Sequence, residues 1–316
     1  MKKSLIAGIA LLLCGVILCG AEPQKKSLKI LTIGNSFSNS LNIQFPRIVA
    51  SDPSCEMLLD ARSATLGGCS LERHWNNHVK SEQDPAFKPY VSKTSTLREQ
   101  LIREKWDIVT IQQASHFSWR AETFEPYASN LIGLVKKLAP TAEIVIQQTW
   151  SYNVCDSRLQ ADSKYNWKHD GKPVDQTRMY ELLAENYRNT AQKHNLRVIP
   201  VGDAIQLYRK YMGDKLFSKA ISDFENPTAK SVMTNDVVAR FYERKDPKTG
   251  EKSLRVDSIH LNSRGQYLQS LVWYAMLFDK DPEKITYKPA FVTDEEAALF
   301  KKCAKEAVKN YKQVRK

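Results

Sequence analysis

Ser36, Asp257 and His260 are residues whose types and positions could together perform nucleophilic catalysis. Ser36 follows an apolar segment and Gly34, where a strand would give way to a helix. A serine is a weak nucleophile unless an adjacent base takes its proton. Asp257 and His260 are three residues apart, so the carboxylate can fix the tautomer of the imidazole and stabilise its protonated form. The set predicts acyl transfer through Ser36, although a serine here could instead cap a helix and the Asp–His pair could lie on the surface.

Two further places offer hydrogen-bond donors for the oxyanion that acyl transfer creates. Gly67 and Gly68 follow the second apolar segment and can present backbone N–H groups, while Gln112 and Gln113 follow the third and carry amide donors. An oxyanion hole needs donors aimed at the developing charge. We expect it to combine the backbone N–H of Ser36, one of the glycines and one of the glutamines. Gln112 is favoured because it ends the apolar run, although an ordinary loop and a hydrogen-bonded sheet edge remain alternatives.

Short apolar segments alternate with amphipathic ones, and this alternation must position those residues. Strands are predicted at residues 27–33, 55–61, 106–112, 143–148 and 196–201. Helices are predicted at residues 40–50, 71–79, 96–105, 124–138, 176–194, 263–278 and 293–314, with a hairpin turn at 246–250. The pattern predicts an α/β fold, a three-layer α/β/α sandwich with a five-stranded parallel sheet. Ligands of such sheets bind beyond the carboxyl ends of the strands, where the serine, glycines and glutamines fall.

The first residues have the pattern of a secretory signal peptide. Lys2 and Lys3 precede an apolar run at residues 6–18 that is too short to favour a membrane span, and Ala21 offers a cleavage site. We expect residues 1–21 to be removed and the protein to be periplasmic or secreted, with no stable membrane insertion after cleavage. A retained anchor is the alternative. Residues 22–316 are expected to form a single domain with an insertion near residues 152–175 and a C-terminal helix near residues 293–314.

The composition limits the class of partner. The chain of 316 residues has a net charge of +12 and is 42% hydrophobic, which is typical of an ordered globular protein. Its basic residues are scattered along the sequence, which favours a solvated basic surface and argues against nucleic acid as a partner. An anionic polysaccharide or a membrane surface remains an alternative partner. Export would permit disulfides, and the four cysteines beyond the signal peptide allow 3 full pairings, although a chain of this length does not need them. They are Cys55, Cys69, Cys155 and Cys303.

The motifs, taken in order over about residues 27–280, resemble those of the SGNH/GDSL hydrolase superfamily. That family places its serine after strand one, a glycine after strand two, an asparagine after strand three and a DxxH pair before the last helix. The corresponding segments here are GNSFS, TLGGCS, TIQQAS and DSIH. The segments GGCSLERHW, QQTWSY and DSIHLNSRGQYL look closest to an uncharacterised bacterial branch of the superfamily, a domain of unknown function.

This resemblance implies a flavodoxin-like SGNH hydrolase fold and ester hydrolysis with no metal or organic cofactor. Two positions depart from the family: Asn35 stands where the usual GDS has Asp, and glutamine-bearing sequence replaces GxND. Glutamine can donate the same kind of hydrogen bond with one more methylene of reach. Export and a polar insertion containing Tyr152, Tyr165 and Trp167 favour a carbohydrate substrate, because aromatic rings stack on sugar faces. We expect a serine esterase that removes O-acetyl or similar acyl groups from a small-molecule or polysaccharide ester.

Two other interpretations remain. His74 and His78 are four apart on a predicted helix and could share a zinc ion, with Cys69 and His116 completing the site. No HExxH motif is present, and no acidic residue lies between the two histidines. The missing GxND favours a second alternative, a fold that has lost catalysis and binds glycans. Retention of the serine, aspartate and histidine together argues against it.

Overall fold

Strands and helices alternate along most of the chain. The computed structural model describes residues 26–55, 57–217 and 235–315. The strands of these ranges are β1 (Lys26–Gly34), β2 (Met57–Thr65), β3 (Ile108–Ile111), β4 (Glu143–Gln147), β5 (Lys168–His169), β6 (Lys172–Pro173), β7 (Arg197–Ile199), β8 (Arg240–Lys245) and β9 (Lys252–Asp257). The α-helices are α1 (Ser36–Asn39), α2 (Gln44–Ser51), α3 (Leu71–Gln83), α4 (Leu97–Ile102), α5 (Tyr127–Leu138), α6 (Gln176–His194), α7 (Val201–Met212), α8 (Ser263–Leu277) and α9 (Asp294–Arg315). The predicted signal peptide, residues 1–21, lies outside the described residues.

The central sheet contains five parallel strands in the order β2-β1-β3-β4-β7. This is the flavodoxin-like order, in which the chain changes direction between β1 and β3 and opens a crevice at the carboxyl ends of those strands. The inner strands β3 and β4 are buried almost throughout, because helices cover both faces of a parallel sheet. In one layer α8 packs with α2 and α9, and in the other α3, α4 and α5 pack together. The predicted three-layer sandwich with a five-stranded parallel sheet is confirmed.

The second strand differs from its predicted bounds. The sequence predicts it at residues 55–61 and a loop from residue 63, whereas β2 begins at Met57 and ends at Thr65. Along its whole length β2 pairs with β1, from Lys26↔Met57 to Gly34↔Thr65. The hydrogen bonds of β1 therefore extend the strand through small polar residues that resemble a loop in the sequence, because an edge strand tolerates polar side chains on its exposed face.

A separate two-stranded sheet carries the segment that ends at Asp257. Strands β8 and β9 are antiparallel, and the turn between them falls at residues 246–250, where Gly250 has a φ of +76°. This is the position of the predicted turn. Since β9 ends at Asp257 and α8 begins at Ser263, His260 lies in the short connection between them.

The predicted insertion and the predicted C-terminal helix both contain regular secondary structure. Residues 152–175 contain β5 and β6, which form a short antiparallel hairpin, and the C-terminal helix α9 covers Asp294–Arg315. Within the part of the chain that the structure describes, no helix combines the length and the apolar character needed to cross a membrane.

Candidate active site

Ser36 lies in a tight turn between β1 and α1. The helix predicted at residues 40–50 corresponds to α2, and the short helix α1 before it begins at Ser36 because the Asn35 Oδ1 accepts the backbone N–H of Phe37 at 3.0 Å and caps it. A Cβ at position 34 would lie 2.4 Å from the Ser38 Oγ, so a larger residue there would displace this hydroxyl from its hydrogen bond with Gln112. The turn therefore leaves Ser36 partly exposed at the carboxyl end of β1 while its neighbours are buried.

The structure brings Ser36, His260 and Asp257 together. The Ser36 Oγ is 2.8 Å from the His260 Nε2, and the His260 Nδ1 is 2.8 Å from the Asp257 Oδ2. The other carboxylate oxygen of Asp257 accepts the backbone N–H groups of Ile259 and His260, both at 3.1 Å. Burial would raise the pKa of Asp257, but the hydrogen bond and charge of His260 and these two N–H groups outweigh it and lower the pKa to about 2. The carboxylate is therefore ionised at neutral pH and holds the His260 proton on Nδ1.

Aromatic side chains hold the imidazole of His260 in place. Phe37, the residue after Ser36, stacks on Trp150 with ring centroids 4.0 Å apart and meets the His260 ring edge-on at 5.4 Å. The indole N–H of Trp150 donates to the Ile259 carbonyl at 2.9 Å. The segment after β4 therefore contacts both the turn that carries Ser36 and the connection of residues 258–262 between β9 and α8, here called the histidine connection. These contacts fix the turn and the connection relative to each other.

Further hydrogen bonds join the start of the predicted insertion to the histidine connection. The Asn153 N–H donates to the Ser258 carbonyl at 2.8 Å, and the Ser258 Oγ donates to the Asp156 Oδ2 at 2.7 Å. Arg158 makes a bidentate pair with Asp156 through bonds of 2.7 and 2.6 Å. Sequence reasoning missed these roles, and the nearest segment that it singled out, QQTWSY, ends at Tyr152 and was assigned no function.

A buried ion pair stabilises the segment after β4 and the end of the histidine connection. Arg209 on α7 and Asp236 are 4% and 0% exposed, and lie 2.8 Å apart. Arg209 also donates to the Ser151 Oγ at 2.7 Å, and the Asp236 carbonyl accepts from the Asn262 Nδ2 at 2.9 Å. Asn262 caps α8, so this pair ties together α7, the segment after β4 and the end of the histidine connection.

Gly67 and Gly68 lie in an exposed loop beside the serine turn. The Leu66 N–H donates to the Gly34 carbonyl at 3.3 Å, and the Asn35 Nδ2 donates to the Cys69 carbonyl at 3.1 Å. Gly68 has a φ of +58°, which a residue with a side chain rarely adopts. Asn35 therefore both caps α1 and anchors the glycine loop against the turn that carries the serine.

Gln112 and Gln113 do not offer free donors, in contrast to the expectation from the sequence. Both are buried, and the Gln112 Nε2 donates to the Asn35 Oδ1 at 2.8 Å while its Oε1 accepts from the Ser38 Oγ at 2.7 Å. The Gln113 Nε2 donates to the Thr123 carbonyl at 2.8 Å. The physical reason is burial, because an amide enclosed by the sheet and the serine turn must satisfy its polar atoms locally. The two amides therefore make buried hydrogen bonds in place of the free donors that the sequence predicted for an oxyanion hole.

Two histidines of the zinc alternative, His74 and His78, lie on α3, and His74 has both ring nitrogens engaged. Its Nδ1 is 2.8 Å from the Tyr90 hydroxyl and its Nε2 is 2.9 Å from the Gly34 carbonyl. Burial lowers the pKa of His74 to about 4, so the ring is neutral and donates from Nε2 to the carbonyl just before the serine turn. His78 lies 3.8 Å from Glu82. In the ranges described, no cluster of three or more metal-ligating side chains forms, and the four cysteines are unpaired.

A cavity of about 590 Å³ lies between the loop of residues 116–122 and the β5–β6 hairpin. Trp119 and Trp167 stack within its wall at 5.2 Å. Trp167 also packs on Tyr152 at 5.6 Å, and the Arg158 guanidinium covers both of those rings at 4.6 and 5.0 Å. Because Arg158 is paired with the carboxylate that binds Ser258, the cavity is connected to the histidine connection through direct side-chain contacts.

Comparison with known proteins matches more than half of the chain to a family model. The model described as "Domain of unknown function (DUF4886)" matches residues 29–222. A solved DUF4886 protein from Bacteroides uniformis is similar at 20% identity and a TM-score of 0.65, over 90% of this chain and 95% of that one. No functionally curated sequence matches the chain.

Two other solved structures are less similar to this chain. A protein described as a GDSL-like lipase from Parabacteroides merdae has 14% identity and a TM-score of 0.43, over 79% of this chain and 95% of that one. An acetyl xylan esterase has 12% identity and a TM-score of 0.44, over 78% of this chain and 98% of that one. At such identities a match reports a fold and not a substrate.

Proposed function

The chain belongs to the DUF4886 family, and we propose that this member is an exported serine esterase that removes acyl groups, O-acetyl groups foremost, from carbohydrate. The observation that carries the proposal is the hydrogen-bonded series Ser36–His260–Asp257, with two distances of 2.8 Å. A solvent-accessible serine paired with an oriented imidazole and an ionised carboxylate has the geometry required for nucleophilic acyl transfer.

The proposed reaction uses the residues already described. The Ser36 Oγ attacks the acyl carbonyl while its proton passes to the His260 Nε2, and Asp257 stabilises the imidazolium. The oxyanion accepts hydrogen bonds from the backbone N–H of Ser36 and from one of Gly67 or Gly68, so this oxyanion hole consists of backbone donors. The bond between the acyl carbon and the sugar oxygen then breaks, and His260 donates its proton to that oxygen, which leaves as a hydroxyl while the acyl group stays on Ser36. A water molecule, activated by the same histidine, releases the acyl group from Ser36.

The aromatic cavity supports a carbohydrate as the alcohol part of the ester. Its volume is within the range of small-molecule sites, and its wall combines stacked tryptophans with charged side chains. Trp167 is partly exposed in this wall and can pack the free part of its ring against a sugar while the neighbouring polar groups bind hydroxyls. Tyr165, in the same insertion, is 61% exposed and does not line the cavity.

Acetate release from an O-acetylated polysaccharide tests the proposal. We expect Ser36→Ala to abolish release, and Trp167→Ala to lower kcat/KM for the polymer about tenfold, the value of one good aromatic contact. Tyr165→Ala is the matched control and should behave as the wild type. Wild-type activity in Ser36→Ala would disprove the esterase mechanism, whereas equal effects of the two aromatic variants would disprove the role of the cavity.

A further inference from the structure

The register of the β8–β9 hairpin places several basic side chains on the face that carries Asp257. Arg240 is paired directly with Asp257, and Tyr242 is paired with Arg255. Directly paired residues of an antiparallel sheet share a face, and side chains two positions apart along a strand return to it. Arg240, Tyr242, Arg244 and Arg255 therefore form one strip, here called the arginine strip, that is continuous with Asp257.

This strip is exposed and basic. All three arginines are exposed, and Tyr242 is 48% exposed. The carboxylate on the same face is that of Asp257, which is hydrogen-bonded to His260. Neither Arg244 nor Arg255 forms an ion pair with a described residue. With a rise of about 3.4 Å per residue, Arg255 lies about 7 Å and Arg244 about 14 Å from Asp257 along the strands.

We propose that the arginine strip binds an acidic polysaccharide chain, so that the ester substrate of Ser36 belongs to a polymer with carboxylated or sulfated sugars. This rests on the proposed esterase function, which it deepens by naming the substrate class. Guanidinium groups bind carboxylates and sulfates through two parallel hydrogen bonds. Tyr242 supplies a ring between them for a sugar face. Charges spaced in a line over about 14 Å fit an extended polymer better than a small anion.

The same observations favour a polysaccharide over the other polyanions. A membrane surface would call for several exposed apolar side chains among the basic ones, and the strip has one tyrosine. Single-stranded nucleic acid is bound by several aromatic platforms in series, which the strip lacks. The strip begins beside Asp257, whose carboxylate is hydrogen-bonded to His260, so it is continuous with the proposed active site.

Binding of polygalacturonate, a polymer without esters, tests the strip separately from catalysis. We expect the wild type to bind it in 50 mM salt and to lose affinity as salt rises, because exposed charges are screened. The variant Arg244→Ser/Arg255→Ser should bind about tenfold more weakly, from two exposed charge contacts. The control Lys245→Ser/Lys248→Ser removes the same charge from the opposite face and the turn, and should bind as the wild type does. Melting temperatures verify that both variants fold.

Each outcome bears on the proposal. A selective loss of affinity in the arginine variant supports it. Equal losses in both variants would show attraction to net charge alone and overturn it. Wild-type affinity in the arginine variant would also overturn it. Tighter binding of the wild type to single-stranded DNA than to polygalacturonate would overturn it as well. A protein without esterase activity that still binds polygalacturonate through the strip would refute the proposed function and leave the binding surface intact.

Discussion

Lowering the pH from 7 to 5 should destabilise the protein through the buried histidine beneath the serine turn. His74 is fully buried, and burial lowers its pKa from 6.5 to about 4. Between these two values the unfolded chain binds a proton that the folded protein excludes. Stability contributed by the neutral ring is therefore complete above pH 6.5 and is lost as the pH falls toward 4.

The magnitude follows from the two pKa values. A shift from 6.5 to about 4 corresponds to a free energy of unfolding that falls by about 2 kcal/mol between pH 7 and pH 5, and by about 3 kcal/mol once the pH is well below 4. Protonation would place a proton on Nδ1 and remove the acceptor of the Tyr90 hydroxyl, whereas Nε2 would continue to donate to the Gly34 carbonyl. Carboxylates such as Asp257, with a pKa of about 2, contribute their own loss only at lower pH.

Urea unfolding at pH 7 and pH 5 measures this effect. The variant His74→Gln cannot titrate but can still donate to the Gly34 carbonyl and accept from the Tyr90 hydroxyl. It should be less stable than the wild type at pH 7 and should lose about 2 kcal/mol less on acidification. Because the pKa values of His78 and His116 are also lowered by burial, both proteins keep a residual slope. Identical losses in the wild type and the variant would refute the assignment to His74.

Three other changes have defined outcomes. Asp257→Asn should lower kcat for an acetyl ester by a factor on the order of 10⁴ with little change in KM, because the imidazole then adopts the wrong tautomer; a near-normal kcat would contradict this. Gln112→Ala should lower the free energy of unfolding, measured in urea, by about 1–3 kcal/mol, because it removes the buried hydrogen-bond partner of Asn35 and of Ser38. It should lower kcat by less than the roughly hundredfold that is expected for loss of an oxyanion donor. EDTA should leave ester hydrolysis unchanged in a steady-state assay, and a loss that zinc restores would favour the zinc alternative.

The sequence predicts the sheet well because its strands are short apolar runs separated by helices, and that prediction is confirmed. The serine, aspartate and histidine could be singled out because each follows a recognisable local pattern, a strand end or the DxxH spacing. The hydrogen-bond partners of Gln112 could not be predicted from the sequence, because a buried amide bonds to groups that are distant along the chain, such as Asn35.

The aromatic support of the site is hidden from the sequence for the same reason. The stacking of Phe37 on Trp150 joins residues more than a hundred positions apart, and no local pattern distinguishes it from ordinary core packing. The extension of β2 to Thr65 is likewise set by its partner strand and not by its own polar residues. Local patterns thus locate reactive groups, whereas the contacts that orient them depend on the tertiary structure.

Labelling with a fluorophosphonate probe, followed by peptide mapping, tests the central claim most directly. The probe reacts with a serine only where an adjacent base and oxyanion donors activate it, so it reports on the Ser36–His260 pair without requiring the natural substrate. We predict rapid labelling of Ser36 alone, none in Ser36→Ala, and strongly slowed labelling in His260→Ala. Absence of labelling in the folded wild type, or equal labelling in Ser36→Ala, would contradict the account.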